Sequence, residues 1–257
     1  MTSPAVSFVV PAYNEELLLP RTLDSIRATA RELGLDHEIL VADDASNDRT
    51  GAIAAEHGAR VLAVNHRRIS ATRNAGARAA TGALLVFVDA DTVVPVGPVA
   101  GALEVIASGG VAGGSTCAFD GTLPGWARGI LPALMTFYRW ARLTPGAFLF
   151  CTREAFEAVG GFDESVFGGE EVLMARALDR FAKTRGRRFT IVRSPVLTSG
   201  RKLRTYSGWE LLATLARVGL RGRRGARRRE GFEIWYGPRP EDPEGVPATP
   251  HVASRTD

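Results

Sequence analysis

Residues Ala83–Thr92 constrain this chain more than any other stretch. Six apolar residues, Ala83, Leu84, Leu85, Val86, Phe87 and Val88, run straight into Asp89-Ala90-Asp91-Thr92, with Gly82 before and Pro95 after. A continuous apolar run between breakers reads as a strand buried on both faces, the kind found in parallel sheets. Side chains alternate along a strand, so Asp89 and Asp91 leave the sheet on the same side. Two like charges held together there are costly unless a cation or hydrogen-bond donors compensate them. A divalent metal that also carries a phosphate would do so. An isolated Asp-x-Asp is more commonly an acidic turn, so the surroundings decide the meaning of this one.

Upstream, apolar strands alternate with helical periods at short intervals. Ala5–Val10 reads as a strand broken by Pro11. A helix opens around Asn14-Glu15-Glu16, carries Leu23, Ile26, Ala30 and Leu33 at helical spacing, and ends at Gly34. Glu38–Ala42 is a second strand ending in Asp43-Asp44-Ala45-Ser46, followed by a helix from Asp48 to Gly58. Arg60–Val64 is a third strand and Ser70–Ala80 the next helix. This alternation argues for a parallel sheet with right-handed crossovers, whose ligands bind outside the carboxyl ends of the strands. The polar clusters after the first, second and fourth strands all fall on that edge. Beyond Pro95 the spacing predicts a helix over Pro98–Ser108, a glycine-rich loop at Gly109–Gly114 and a strand at Ser115–Phe119. Aromatic and aliphatic residues then recur at roughly helical intervals through Leu123–Leu143. Strands are expected at Gly146–Cys151 and Phe189–Val192, and helices from Glu170 to Ala182 and over Trp209–Leu220.

At 257 residues the chain suits one large α/β domain or two tightly packed halves. No segment approaches the ~18–20 uninterrupted apolar residues of a membrane span. Met1-Thr2-Ser3-Pro4 has no basic region before the first strand, so no signal peptide is expected. Cys117 and Cys151 support neither a disulfide framework nor a zinc site, and a cytoplasmic location is expected. The net charge of +4 is uneven: Arg201 to Arg229 holds ten Lys or Arg against Glu210 alone, a local +9 that leaves −5 elsewhere. That segment suits anionic lipid head groups or a solvated tail. Nucleic acid is not expected, since no nucleic-acid module is recognisable.

Several chemistries are excluded by absent motifs. No Gly-x-Gly-x-x-Gly follows the first strand, Gly109–Thr116 lacks a P-loop lysine, and there is no Gly-x-Ser-x-Gly. The four histidines lack metal-ligand spacing. What remains resembles a GT-A glycosyltransferase of family 2. The resemblance rests on five pieces in order: Val9-Val10-Pro11-Ala12-Tyr13-Asn14-Glu15-Glu16, Val41-Ala42-Asp43-Asp44-Ala45-Ser46, Ala71-Thr72-Arg73-Asn74-Ala75-Gly76, Asp89-Ala90-Asp91, and Gly160-Gly161-Phe162-Asp163-Glu164.

The resemblance implies a three-layer α/β/α, mostly parallel GT-A fold and a nucleotide-diphosphate-sugar donor, UDP-sugar first, with GDP- or dTDP-sugar as alternatives. It implies a divalent cation, Mn²⁺ or Mg²⁺, and a small-molecule or lipid-linked acceptor. Pro11, Tyr13 and Glu15 would line the nucleoside pocket, Asp44 would bond the base, and Arg73 would lie near base or phosphates. Asp89 would face the ribose or metal and Asp91 would bind the metal. A hard cation prefers such carboxylate and phosphate oxygens. Each residue also has a purely structural reading: Tyr13 as a packed aromatic, Asp43 and Asp44 as caps, Arg73 as part of a solvated face.

Two departures from the family pattern matter. The family's Glu-Asp at the start of the helix after Gly-Gly-Phe-Asp is here Glu170-Glu171, so Glu171 is expected as base, one methylene longer than Asp with a similar intrinsic pKa. The histidine that some relatives place after the last strand is absent from Leu197-Thr198-Ser199-Gly200-Arg201-Lys202, where Arg201 and Lys202 would take the diphosphate instead. The expected organisation is a GT-A domain over 1–205, with a donor half 1–95 and an acceptor half 96–205. A helix with an Arg-rich segment over 206–236 and a disordered tail over 237–257 follow. Peripheral contact with the inner membrane face is expected through Arg217–Arg229. A retaining transferase and a non-catalytic nucleotide-sugar-binding protein stand as alternatives to inverting transfer.

Overall fold

The structure, a computed structural model, describes residues 5–144, 146–210, 226, 227, 229, 230, 232 and 236. Strand and helix alternate as β1 (Val6–Ala12), α1 (Leu19–Glu32), β2 (His37–Asp44), α2 (Thr50–Glu56), β3 (Arg60–Val64), α3 (Ile69–Ala79) and β4 (Leu84–Val88). The second part continues as β5 (Thr92–Val93), α4 (Val96–Ala107), β6 (Ala112–Phe119), α5 (Gly125–Trp140), β7 (Phe148–Thr152), α6 (Arg153–Val159), α7 (Glu170–Thr184), β8 (Phe189–Thr198) and α8 (Arg201–Thr205). The eight strands form one sheet in the order β3-β2-β1-β4-β7-β6-β8-β5. β1 pairs parallel with β2 and β4, and β2 with β3, as the crossover helices require. β7 runs antiparallel to both β4 and β6.

The expected apolar run is β4, buried at every position. Its alternation divides the core: Leu84, Val86 and Val88 face the layer containing α1, α2 and α4, while Leu85 and Phe87 face the one containing α3, α6 and α7. This is the three-layer α/β/α arrangement. Phe87 packs edge-on against Phe162 with ring centroids 5.0 Å apart, which ties the Gly160–Glu164 segment to the sheet.

The second part departs from expectation in two places. Ala112-Gly113-Gly114 belongs to β6 rather than to a loop, paired with β7 and β8. These glycines serve close approach, not a turn: a Cβ at Gly113 would collide with the Thr190 carbonyl and the Phe150 ring, and one at Gly114 would lie 2.7 Å from Thr144 Cβ. β8 runs on past Val192 to Thr198, because the register shift between Ser115 and Cys117 accommodates Pro195 within the strand. The expected helix over Trp209–Leu220 lies mostly outside the described residues, as does the tail from Pro238.

Candidate active site

The loops after β1 and β2 lie side by side at the carboxyl edge and are zipped together. Asn14, Glu15 and Glu16 donate their backbone N–H groups to Ser46 Oγ, Thr50 Oγ1 and Asp48 Oδ2, at 3.0, 2.9 and 3.2 Å. In return Asn47 N–H donates to Asn14 Oδ1 at 2.9 Å. Asn14 and Ala45 both take left-handed backbone, φ 51° and 57°, which for alanine is a strained choice held by this network.

These loops place Tyr13 beside a small pocket lined by Asp44, Arg67, Arg68, Ile69, Arg229 and Tyr236 as well. The Arg67 guanidinium lies over the Tyr13 ring, 4.3 Å from its centroid. Asp44 is buried, and its carboxylate accepts from the N–H groups of His66, Arg67 and Arg68 at 2.6, 2.9 and 3.1 Å and from Thr72 Oγ1 at 2.8 Å. Those four bonds use the acceptor capacity of both oxygens and anchor the start of α3. Asp44 therefore shapes this pocket through the 66–68 backbone, and the expected bond to a base would displace one of its present donors. Asp43 accepts from Ser46 N–H at 3.1 Å, a structural role as expected.

Ile69 also lines a larger cleft next door, of about 250 Å³. Asp89, Asp91, Arg73, Glu170, Glu171 and Lys202 converge on it from four separate elements. Arg73, on the inner face of α3, is almost wholly buried and bridges two carboxylates: Nη2 to Asp89 Oδ1 at 2.7 Å and Nη1 to Glu170 Oε1 at 2.8 Å. The reading of Arg73 as part of a solvated face is thereby corrected. Asp91 receives only long hydrogen bonds among the described residues, 3.4 Å from Thr92 Oγ1 and 3.3 Å from Thr198 Oγ1, both on Oδ1. Cys117 faces the same cleft, but burial and the charges of Asp89 and Asp91 hold its thiol well above the usual range, so it is inert.

Glu170 and Glu171 begin α7, where the helix dipole favours negative charge. Their environments differ all the same. Glu170 is neutralised by Arg73. Glu171 is pushed up to about 8 by burial and then by the adjacent Glu170 charge, with Arg73 offsetting part of this. Gly146 makes room for it: its φ is +91°, and a Cβ there would sit 3.3 Å from Glu171 Cγ. Gly146→Ala should accordingly cost roughly 1–2 kcal/mol for the left-handed backbone, read by urea unfolding, and should displace the Glu171 carboxylate.

Three expected contacts are placed differently. Arg201 does not present its charge to the cleft; its Nη2 lies 3.2 Å from Glu15 Oε1, and both side chains are buried. Glu15 is thus a counter-ion below the loop rather than a pocket wall. Pro11 lies inside β1 opposite Ala42 and is likewise buried. Lys202, one residue on, does line the cleft.

Two organising residues carry no mark strong enough for the sequence reading to single out their roles. Asp120, buried at the end of β6, pairs with Arg21 at 3.0 Å and Arg204 at 3.4 Å and accepts the Gly200 N–H at 2.8 Å. It fixes the turn that carries Lys202. The signal available was its position: an aspartate directly after an apolar strand, like Asp44 and Asp89. Asn74 bonds Phe162 at both its N–H and carbonyl, each at 2.9 Å, and Gly161 (φ +75°) approaches it closely. Through Asn74 the Gly160–Glu164 segment is locked to α3.

Comparison with known proteins fits this geometry. Residues 7–159 match the family model Glycosyl transferase family 2. An undecaprenyl-phosphate 4-deoxy-4-formamido-L-arabinose transferase from Enterobacter sp. (strain 638) is 38% identical over 97 residues, 35% of this chain and 30% of the relative. A validoxylamine A glucosyltransferase from Streptomyces hygroscopicus subsp. limoneus is 38% identical over 104 residues, 37% of this chain and 22% of the relative. The matched part thus spans under a third of these relatives' own length. Among solved structures, the mannosyltransferase PcManGT from Pyrobaculum calidifontis, in complex with GDP-Man and Mn²⁺, superposes with a TM-score of 0.60 at 22% identity, covering 83% of this chain and 61% of that one. S. aureus TarS 1-349 in complex with UDP-GlcNAc gives 0.57 at 18%, covering 76% and 58%. These likenesses show the GT-A fold, and with the family match over more than half its length the chain belongs to glycosyl transferase family 2.

Proposed function

We propose that this chain transfers a glycosyl group from a nucleotide-diphosphate sugar to an acceptor hydroxyl, with inversion and with Glu171 as base. The observation that carries this reading is the convergence of Asp89, Asp91, Arg73, Glu171 and Lys202 on one cleft adjoining the Tyr13 pocket. The nucleoside would occupy the smaller pocket, against Tyr13 and Arg67, and the diphosphate would extend past Ile69 towards Lys202. In this division residues 1–95 form the donor half and 96–205 the acceptor half, with Lys202 of the latter reaching the donor's diphosphate. That two structurally similar proteins bind GDP-Man and UDP-GlcNAc supports the donor class; UDP-sugar remains the first choice here.

In the transfer itself, Glu171 accepts the proton of the acceptor hydroxyl as its oxygen bonds to the anomeric carbon. The bond from that carbon to the diphosphate oxygen breaks on the opposite face, and its electron pair leaves with the nucleoside diphosphate. Lys202 holds a phosphate, while Arg73 keeps Asp89 and Glu170 in place.

The donor set fits a hard divalent cation. Four carboxyl groups face two cationic side chains in the cleft, and even with Glu171 protonated the balance is negative and would repel a diphosphate. Asp91, with Asp89 beside it, would hold Mn²⁺ or Mg²⁺, which prefers one or two carboxylates plus phosphate oxygens and water. Among the described residues no group of three or more His, Cys, Asp or Glu side chains is placed to hold a metal ion by itself, so the remaining ligands would come from the donor and water. When bound, the cation supplies neutralisation of the departing diphosphate.

A thermal-shift series with UDP-, GDP- and dTDP-sugars, with and without Mn²⁺, tests the reading. A donor at about 100 times its Kd stabilises by about 2.7 kcal/mol, or about 5–10 °C in Tm for a chain of this size. Asp91→Asn should remove the Mn²⁺-dependent part. No shift with any nucleotide sugar would overturn the assignment, and a product that keeps the donor's anomeric configuration would overturn inversion.

A further inference from the structure

Helix α5 carries a second apolar face that none of the described residues covers. Its inner face is half-buried, with Met135 packed on the core. Ile130, Ala133, Phe137 and Trp140 form an outward stripe at i, i+3, i+7 and i+10. Within it Ile130, Phe137 and Trp140 are 48%, 51% and 81% exposed, large values for such side chains. The patch extends past the helix: Gly208 lies against the Trp126 ring, and the neighbouring Trp209 is 82% exposed.

Charge selects the occupant. From Gly121 to Thr152 there are three arginines, Arg128, Arg139 and Arg142, and no acid at all. A second copy of this face would set arginine against arginine. The chain's own segment from Leu211 to Arg229 holds seven arginines and no acid, so it brings no charge complementary to Arg128 and Arg139. The stripe therefore wants a partner that is apolar and anionic together. Aromatic and aliphatic side chains flanked by arginines are the composition of a helix that lies in a bilayer interface. No helix among the described residues is long and apolar enough to cross one.

We infer that the outer face of α5, through Ile130, Phe137 and Trp140 with Arg128 and Arg139 beside them, docks on an anionic lipid bilayer. The position gives this a consequence for the cleft. β6 before the helix contributes Cys117 and Phe119 to the cleft wall, and Gly146 after it abuts Glu171. Tyr138, on the inner face, is near enough for the Glu171 charge to add to the burial that raises its phenol. Docking would bring the acceptor end of the cleft to the membrane, where the hydroxyl or phosphate of a lipid-linked acceptor is presented. That consequence rests on the transfer reading, whereas the docking itself does not.

Co-sedimentation of the full chain with phosphatidylcholine vesicles, with and without phosphatidylglycerol, tests it. Binding is expected to the anionic vesicles. Phe137→Glu/Trp140→Glu should weaken it by at least about tenfold, since each ring withdrawn from water is worth about that factor. Arg128→Gln/Arg139→Gln should weaken it by about tenfold or more on anionic vesicles only. Both variants alter exposed side chains, so Tm and the donor-induced thermal shift should stay at wild-type values. Failure of the wild type to bind, or undiminished binding by the Phe137/Trp140 variant, overturns the inference. So does a change of oligomeric state in that variant with vesicle binding intact, which would assign the face to a second copy. A loss of donor-induced shift in the wild type would count against the transfer reading alone.

Discussion

Glu171→Gln is expected to lower kcat by about 10²–10⁴-fold, the usual worth of a positioned general base, while the donor-induced thermal shift stays near wild type. Glutamine keeps the shape beside Gly146 and removes only the ability to accept a proton. The pH dependence supplies a second readout. Because burial and Glu170 push Glu171 up to about 8, the base is mostly protonated at neutral pH, and kcat/KM should rise with pH through about 8. In Glu171→Gln that limb should vanish. Stability should run the other way. A carboxyl whose folded pKa lies above its ordinary 4.5 contributes stability that is fully present below 4.5 and is lost as pH rises through about 8. The wild type should thus lose stability over this window and the Gln variant should lose less of it. Activity and stability moving in opposite directions over one pH range would be hard to produce by general denaturation. An active Glu171→Gln enzyme would sink the assignment, and Glu170 would not take its place easily, since its charge is committed to Arg73.

The parts of the fold legible in the sequence are those that leave a local periodic mark. β1, β2 and β4 announce themselves as apolar runs because both of their faces are largely buried, and each ends in polar residues because the carboxyl edge is where the sheet meets solvent. That edge rule puts Tyr13, Asp44, Asp89 and Asp91 on one side of the sheet, and the family resemblance singled them out there. It did not settle what each carboxylate touches. Asp44 and Asp89 look equivalent in sequence, yet one is filled by backbone N–H groups and the other faces a cleft and an arginine. The pairing of Glu15 with Arg201 spans 186 positions and has no local signature, so a charge read as a phosphate ligand turns out to be spent internally. The start of β6, Ala112–Gly114, was hidden for a different reason. Its glycines are needed where strands and side chains approach too closely for a Cβ, a requirement that composition alone shares with a loop. Glycine marks both, and only the partner strand tells them apart.

Arg73→Met should be the most destabilising single change in the site. Arg73 is 3% exposed, and its two Nη groups separately hold Glu170, which is also buried, and Asp89, which is about one-third exposed. Methionine fills much of the stem's volume and leaves both carboxylates without their partner. Removing one member of a buried ion pair costs about 3–5 kcal/mol because of the charge left behind. Most of that should come from Glu170, as Asp89 can recover hydration. A fall in Tm on the order of 10 °C follows for a chain of this length. The cause can be isolated by a double-mutant cycle. If the penalty is an uncompensated carboxylate, Glu170→Gln added to Arg73→Met should restore about 1–3 kcal/mol, although Glu170→Gln alone is destabilising. If Arg73 merely fills space, the two costs should add. Arg73→Lys separates geometry from charge, for a single ammonium cannot span the two positions that the guanidinium fork reaches. It should keep part of the stability and lose turnover, because whichever carboxylate it releases, Asp89 at the proposed cation site or Glu170 beside the proposed base, is one that the proposed transfer needs held.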